Sequence, residues 1–230
     1  MRYDCLIIDD EKELADNTCD YFNLFDIPSY AVYTKADALE FLSGNTPSLI
    51  LLDINLSDGS GFELCKHIRK TLDIPILFIS ARNTDDDKII ALNIGGDDYI
   101  EKPYSLGVVL AKVKAVLKRM RKTSGSNPGI YEDGRIKVDK ANKTLYVEGE
   151  AKKLTSMEFS LLSYLIDNPD RLITKAELFD NVWKDKFTSD GTLNVHIRKL
   201  REAIEADPKE PSYIVTVWKE GYKFVSESGK

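Results

Sequence analysis

The chain has 230 residues, 43% apolar and 30% charged, with a formal net charge of −6; that length fits two small domains, each able to bury a core. No apolar run approaches the roughly 18 residues of a membrane span and no signal-peptide pattern opens the sequence, which predicts a cytoplasmic protein without a membrane partner. Up to residue 129 there are 15 Lys and Arg against 20 Asp and Glu, and beyond it 17 against 18, so neither half is a basic nucleic-acid binder by bulk charge and any DNA surface has to be local.

Cys5-Leu6-Ile7-Ile8 reads as a buried strand ending on Asp9-Asp10. An amphipathic segment from about Glu13 to Leu24 and a second strand candidate, Ser29-Tyr30-Ala31-Val32, complete a βαβ opening. A short helix from Ala36 to Leu42 leads to Ser48-Leu49-Ile50-Leu51-Leu52-Asp53-Ile54-Asn55, bounded by Pro47 and Asp58-Gly59. An unbroken apolar run of this kind predicts a strand buried on both faces, as parallel sheets require. Asp53 sits near its C-terminal end, the side on which open α/β sheets bind ligands. A helix from Gly61 to Lys70 follows, then a fourth strand over 75–79 ending in Ser80-Ala81, a helix over 85–94, a short fifth strand at Asp98-Tyr99-Ile100, and Lys102-Pro103. The last helix of this half, from about Ser105 to Met120, keeps Val109, Val113, Val116 and Leu117 on one face. Cys5, Cys19 and Cys65 have no metal-ligand spacing and read as reduced thiols.

Singly, an acidic pair, a Ser after a strand and a Lys-Pro step are ordinary loop features. Together, four strand ends offer carboxylates, a hydroxyl and an ammonium to one crevice, the set that phosphoryl transfer to a carboxylate needs. At Asp9-Asp10, Asp53, Ser80 and Lys102-Pro103 the chain resembles the receiver domain of a two-component response regulator. The resemblance implies a doubly wound, flavodoxin-like sheet of five parallel strands in the order 2-1-3-4-5. It implies Asp53 as phosphoacceptor, with Mg²⁺ held by Asp10, Asp53, the backbone carbonyl of Asn55 and, through water, Asp9. Lys102 becomes a second counter-charge, aimed inward by a candidate cis bond to Pro103. Ser80 and Tyr99 become a switch pair, the hydroxyl turning to the phosphoryl group and the ring filling the space left behind. A haloacid-dehalogenase-type enzyme is the rival, but such enzymes place a general-acid Asp two residues after the nucleophile, where this chain has Asn55. An FMN carrier is disfavoured because Asp9-Asp10 repels a phosphate without a metal. The expected protein takes a phosphoryl group from a donor and is not a turnover enzyme.

Residues 121–129 contain no apolar side chain and are rich in Gly, Ser and Pro, which predicts a flexible linker between domains at 1–120 and 130–230. Beyond it, Arg135-Ile136-Lys137-Val138 and Thr144-Leu145-Tyr146-Val147 alternate like strands of a small antiparallel sheet. Thr155-Ser156-Met157-Glu158 and Thr174-Lys175-Ala176-Glu177 both read as capping boxes, the first opening a helix to Ile166, the second a helix carrying Leu178, Phe179, Val182 and Trp183. A third helix, from about Gly191 to Glu205, places Leu193, Ile197, Leu200 and Ile204 inward, with Thr192, Val195, Arg198, Lys199 and Glu202 opposite and His196 and Arg201 on the flanks. Strands over 213–217 and 222–225 form a hairpin around Lys219-Glu220-Gly221. This half resembles the winged helix-turn-helix, α+β effector of OmpR/PhoB-type regulators. The resemblance implies contacts to double-stranded promoter DNA from Thr192, Val195, His196, Arg198, Lys199 and Arg201 and from Thr216, Trp218 and Tyr222 of the wing. Trp218 stands where an Arg is frequent, Glu202 where a basic residue is usual.

The resemblance further implies a sensor histidine kinase as partner, a receiver homodimer through the fourth and fifth helices, and tandem half-sites. Asp97 with Arg119 and Asp98 with Lys112 are the expected ion pairs across the two-fold axis. Lys88 faces Val108 where a Glu is usual, which shifts weight to an apolar patch of Ile89, Leu92, Val108 and Ala111. The alternative is a regulator that binds DNA without phosphorylation and uses its receiver only as a dimerisation scaffold.

Overall fold

Period-two side-chain alternation explains why the apolar runs of the first half become a sheet covered on both sides. In the computed structural model, which describes residues 3–82, 84–122, 129–184 and 188–226, the chain divides into units 1–118 and 119–230. The first runs β1 (Cys5–Ile8), α1 (Lys12–Leu24), β2 (Ser29–Val32), α2 (Lys35–Gly44), β3 (Leu49–Asp53), a small hairpin of β4 (Asn55–Leu56) and β5 (Gly59–Ser60), α3 (Gly61–Thr71), β6 (Ile76–Ser80), α4 (Asp85–Ile94), β7 (Asp98–Glu101) and α5 (Leu106–Lys122). The five long strands pair in parallel in the order β2-β1-β3-β6-β7. Leu6, Ile8, Ile50, Leu52 and Phe78 pack with Ala38, Leu64, Ile68 and Ala91 of α2, α3 and α4. Their alternates Cys5, Ile7, Leu51, Leu77 and Ile79 pack with Phe22 of α1 and Val109, Val113 and Val116 of α5. Doubly wound topology thus follows from the alternation within each buried strand.

Local chemistry fixes the helix starts. Thr34 accepts from the Asp37 N–H at the head of α2, and Asp58 reaches back to take the N–H groups of Lys35 and Ala36 at 2.7 and 3.0 Å. Gly61 opens α3 where a Cβ would lie 2.0 Å from the Asp53 carbonyl oxygen; only glycine lets this turn close on the end of β3. α5 continues to Lys122, so Arg121 and Lys122 of the expected linker are helical. The rest of that stretch, 123–128, lies outside the described residues.

The second unit begins with an antiparallel sheet of β8 (Ile130–Glu132), β9 (Ile136–Asp139), β10 (Thr144–Val147) and β11 (Glu150–Lys152), ordered β11-β10-β9-β8. Then come α6 (Ser156–Ile166), β12 (Ile173–Thr174), α7 (Lys175–Leu178) running into a π turn over Phe179–Trp183, α8 (Asp190–Ile204), and the hairpin of β13 (Ile214–Val217) and β14 (Gly221–Phe224), which pairs with β12 in the order β12-β14-β13. The Thr155–Glu158 capping box is reciprocal. At Thr174 only half of one forms: its hydroxyl takes the Glu177 N–H, while the Glu177 carboxylate turns to Arg171 and Tyr164, a charged partner outcompeting a backbone amide. Leu162, Leu165, Ile173, Trp183, Leu193, Ile197, Leu200, Ile214 and Phe224 share one core.

Candidate functional site

Because the long strands run parallel, their C-terminal ends share one edge of the sheet. β1 delivers Asp9 and Asp10 there, β3 delivers Asp53, β6 delivers Ser80, and β7 delivers Lys102 just past its end. Asp9 and Asp53 are 3% and 5% exposed and Asp10 is half-buried; carboxylate oxygens of the three lie within 4.8 Å of one another. Into this cluster reaches the Lys102 ammonium, 2.7 Å from Asp53 Oδ2, 2.8 Å from Asp9 Oδ2 and 2.7 Å from Glu11 Oε1. The Lys102-Pro103 bond is cis. Burial pushes the Lys102 ammonium down, but its hydrogen bonds to Asp53, Asp9 and Glu11 outweigh that and hold the group above its ordinary value. Burial lifts the Asp9 carboxyl to about 6, with the Lys102 hydrogen bond opposing and the charge of Asp53 adding to the rise. Four carboxyl groups, those of Asp9, Asp10, Glu11 and Asp53, thus gather about one ammonium, and an all-oxygen set of that charge suits a hard divalent cation. The Asn55 N–H binds Asp53 Oδ1 at 3.1 Å, and its side chain is exposed at the start of the β4–β5 hairpin. Glu11 was not anticipated, although its place directly after the acidic pair was the available signal.

Ser80 is fully buried, its Oγ accepting from the Arg82 N–H at 3.2 Å. Tyr99 is 8% exposed and its hydroxyl donates to the Arg82 carbonyl at 2.5 Å. Burial raises its phenol, and the two side chains converge on one residue, Ser80 through the Arg82 N–H and Tyr99 through the Arg82 carbonyl.

On the face of α4, β7 and α5, several of the charges expected between two receivers already have partners within one chain. Asp98 and Lys112 are paired within the chain, Nζ to Oδ2 at 2.6 Å, with side chains 7% and 5% exposed, because α5 packs directly over the sheet and carries Lys112 onto the start of β7. Asp97 is 1% exposed and bound by Arg69 at 2.8 Å and by the Ile76 N–H at 2.9 Å. The Arg119 side chain lies outside the described residues. Lys88 pairs with Glu101 of its own domain at 2.5 Å. Of the expected apolar patch, Leu92 is buried in the core, Val108 is half-buried, and Ile89 and Ala111 are exposed; Ile90, 45% exposed, belongs with them.

In the second unit, Ser189 caps α8 by accepting the Thr192 N–H at 3.2 Å. Leu193, Ile197, Leu200 and Ile204 face the core as expected, but Thr192, Val195 and His196 are also buried, at 4%, 7% and 0% exposure. The outward face drawn from the sequence is corrected accordingly. α8 is packed on two sides rather than one: Glu158 of α6 meets Lys199 at 3.3 Å, and the Trp183 ring lies 5.7 Å from that of His196. The exposed stripe is Asp190, Asn194, Arg198 and Glu202, at intervals of four, flanked by Gly191. Arg198 pairs with Glu202 at 2.8 Å. Arg201 turns away from this stripe to the hairpin, donating to the Ile214 carbonyl and to Thr216 Oγ1 at 2.8 Å, above the Tyr222 ring. Thr216 is exposed, Trp218 stands 81% exposed at the hairpin tip, and Tyr222 is 6% exposed with its hydroxyl on Asn194 Oδ1.

Comparison with known proteins places both halves. Residues 5–114 match the family model for the response regulator receiver domain, and residues 149–224 match that for the C-terminal domain of transcriptional regulatory proteins. The chain is 35% identical over 221 residues to the sensory transduction protein RegX3 of Mycolicibacterium smegmatis, covering 95% of this chain and 97% of that protein. It is 36% identical over 223 residues to the regulatory protein VanR of Enterococcus faecium, covering 95% and 96%. Among solved structures, response regulator DrrB, a Thermotoga maritima OmpR/PhoB homologue, aligns over 98% of this chain and all of its own with 27% identity and a TM-score of 0.53. A two-component response regulator from Clostridium difficile aligns over 52% of this chain and 98% of its own with 39% identity and a TM-score of 0.50. No helix among the described residues is long and apolar enough to cross a membrane. Two matched domains in this order, over a sheet whose strand ends gather Asp9, Asp10, Asp53 and Lys102, make the chain a member of the OmpR/PhoB-type two-component response regulators, a receiver followed by a winged-helix DNA-binding domain that regulates transcription.

Proposed function

We propose that phosphorylation of Asp53 by a sensor histidine kinase switches this regulator, promoting receiver pairing and promoter binding. The observation that carries the reading is the Lys102 ammonium 2.7 Å from the nearly buried Asp53 carboxylate. An oxygen of Asp53 attacks the phosphorus of the donor, the donor's bond to phosphorus breaks, and an acyl phosphate remains on β3. Charge that spreads over the equatorial oxygens is met by Lys102 on one side. Mg²⁺, when bound, supplies the other counter-charge, held by Asp10, Asp53 and the Asn55 carbonyl with Asp9 behind them. Ser80 stands ready to donate to the phosphoryl group while Tyr99 takes up the space beside it. Because the Asn55 amide cannot take a proton from water attacking the acyl phosphate, the chain holds its phosphoryl group rather than turning over a substrate.

Receiver pairing, in this reading, rests on the exposed Ile89, Ile90 and Ala111, since Asp97, Asp98 and Lys112 are engaged within one chain. Two paired chains then place recognition helices in successive major grooves, roughly 10–10.5 bp apart, on tandem half-sites. A small phosphodonor with Mg²⁺ should add one phosphoryl group per chain, and Asp53→Asn should abolish it. Equal labelling of that variant overturns the assignment. Steady release of phosphate from a metabolite phosphomonoester favours the dehalogenase-type rival, and promoter affinity for Asp53→Asn equal to that of the phosphorylated wild type favours the scaffold reading.

A further inference from the structure

Between α8 and the β13–β14 hairpin lies a shallow concavity of about 260 Å³ whose wall includes Lys175, Asn194, Trp218 and Tyr222. Asn194 is exposed in the same stripe as Arg198, but the Arg198 guanidinium is drawn to Glu202, whereas the contact of Asn194 is the Tyr222 hydroxyl, which donates to Oδ1 at 2.8 Å. Tyr222 is a firm support. It is 6% exposed, paired across the sheet with Ile173 and Thr216, and lies under the Arg201 guanidinium, 6.0 Å from the ring centre. Next to it Gly221 packs so closely on β12 that a Cβ would lie 2.0 Å from the Ile173 carbonyl oxygen, which fixes β14 at the depth where the phenol reaches α8.

A carboxamide oxygen has two lone pairs and its nitrogen two hydrogens. The Tyr222 bond uses one lone pair and sets the amide plane. What remains is an acceptor beside a donor, the complement of the N6 donor and N7 acceptor that adenine shows in the major groove. We propose that Asn194 is a specificity-determining, base-reading residue of this regulator, that adenine is its partner, and that Tyr222 is the positioning residue holding its amide for the contact. The proposal rests on the DNA-binding function of the winged-helix domain and names which residue reads and what it reads. Because Tyr222 holds the amide before DNA arrives, side-chain freedom lost on binding is small and the discrimination is correspondingly sharp.

Selection of binding sites from randomised duplexes by the full-length protein tests it, comparing wild type with Asn194→Ala, Asn194→Asp and Tyr222→Phe. The wild type should enrich a half-site with one adenine whose preference disappears in Asn194→Ala, with affinity for the wild-type site falling on the order of 10- to 100-fold. Asn194→Asp keeps the side-chain shape and should move the preference at that one position to cytosine, whose N4 amino group donates to a carboxylate. Tyr222→Phe should lower the ratio of adenine to other bases at that position and leave the other positions unchanged; a merely structural tyrosine would weaken all sites alike, and that result removes its positioning role. Sites selected by both Asn194 variants that match the wild-type site at every position overturn the reading assignment. No enriched site from the wild type after treatment with a small phosphodonor and Mg²⁺ overturns the DNA-reading function and takes the assignment with it.

Discussion

Lys112→Met tests whether the charges on the α4, β7 and α5 face serve the fold or a second chain. Lys112 Nζ lies 2.6 Å from Asp98 Oδ2 with both side chains nearly buried, and Asp98 Oδ1 also takes the Tyr99 N–H at 2.8 Å. Removing one member of a buried pair leaves the other charged and desolvated, at about 3–5 kcal/mol; the same change in an exposed pair costs about 0–1 kcal/mol. For a unit of this size each kcal/mol lowers Tm by roughly 4 °C, so a fall on the order of 10–20 °C is expected. Urea titration of the full chain, read by hydrogen exchange at the β6 and β7 amides, reports this unit separately from the winged helix. Adding Asp98→Asn should recover much of the loss, with a coupling of about 2 kcal/mol or more. A single-variant cost below about 1 kcal/mol would refute the reasoning: the pair would then be open to solvent and available to bridge two receivers, as the family resemblance implies.

Of the two tryptophans, Trp183 is 2% exposed and Trp218 81% exposed, so a DNA-dependent change in emission reports the hairpin tip; Trp218→Ala should abolish that change and weaken binding several-fold, and emission indifferent to saturating DNA rules out a seated wing. Burial pushes the Glu158 carboxyl up, but the charges of Lys199 and His196 and the Thr155 N–H outweigh it and hold the group below its ordinary value of 4.5. A depressed folded-state value gives stabilisation that is present above the unfolded value and lost as pH falls through the folded one. Glu158→Gln should thus destabilise the winged helix at pH 7 and differ progressively less from wild type below pH 4.5 in chemical denaturation; an equal deficit at pH 7 and at the acid end contradicts the sign.

How legible each part was depended on how many neighbours decided it. The parallel strands were plain because burial on both faces leaves an unbroken apolar run, as in Leu49–Asp53, and the pocket followed because its residues sit at strand ends, a position sequence does reveal. β8 and β11 were missed: Ile130 is 59% exposed and β11, Glu-Ala-Lys, is exposed throughout, so neither carries a burial pattern. Along α8 the single apolar stripe was read correctly and the opposite face was not, because Thr192, Val195 and His196 are buried by α6 and by the Trp183 turn, partners that no periodicity within one helix announces. The bonds Asp97 makes within the chain were illegible for a related reason. Its partner Arg69, on α3, spans Ile74, Gly95 and Asp97 with its guanidinium, a contact set by tertiary packing across 28 residues of sequence.

The charge of the winged helix bears on how two chains must share the work of binding. Beyond residue 129 the basic and acidic counts nearly cancel, and several cations are already partnered: Lys140 with Asp167, Arg171 with Glu177, Lys175 with Asp190, Arg198 with Glu202 and Lys199 with Glu158. Arg135 binds Glu148 and the Ile204 carbonyl at the end of α8, and Arg201 holds the hairpin. Each of these has to leave an internal acceptor before it neutralises a phosphate, so a single chain should make only about two or three phosphate contacts. With a slope of roughly −0.9 per contact, its affinity for an isolated half-site should fall about 10- to 40-fold between 50 and 200 mM salt, against roughly 10³ or more for a protein making six. Weak electrostatic grip per chain means that tight promoter binding has to come from pairing, where the second half-site is met at high effective concentration. Salt titration of the unphosphorylated chain on a single half-site measures the slope directly. A slope steeper than about six contacts per chain would show that the internal pairs open readily on DNA, and the dependence on pairing would then lose its physical basis.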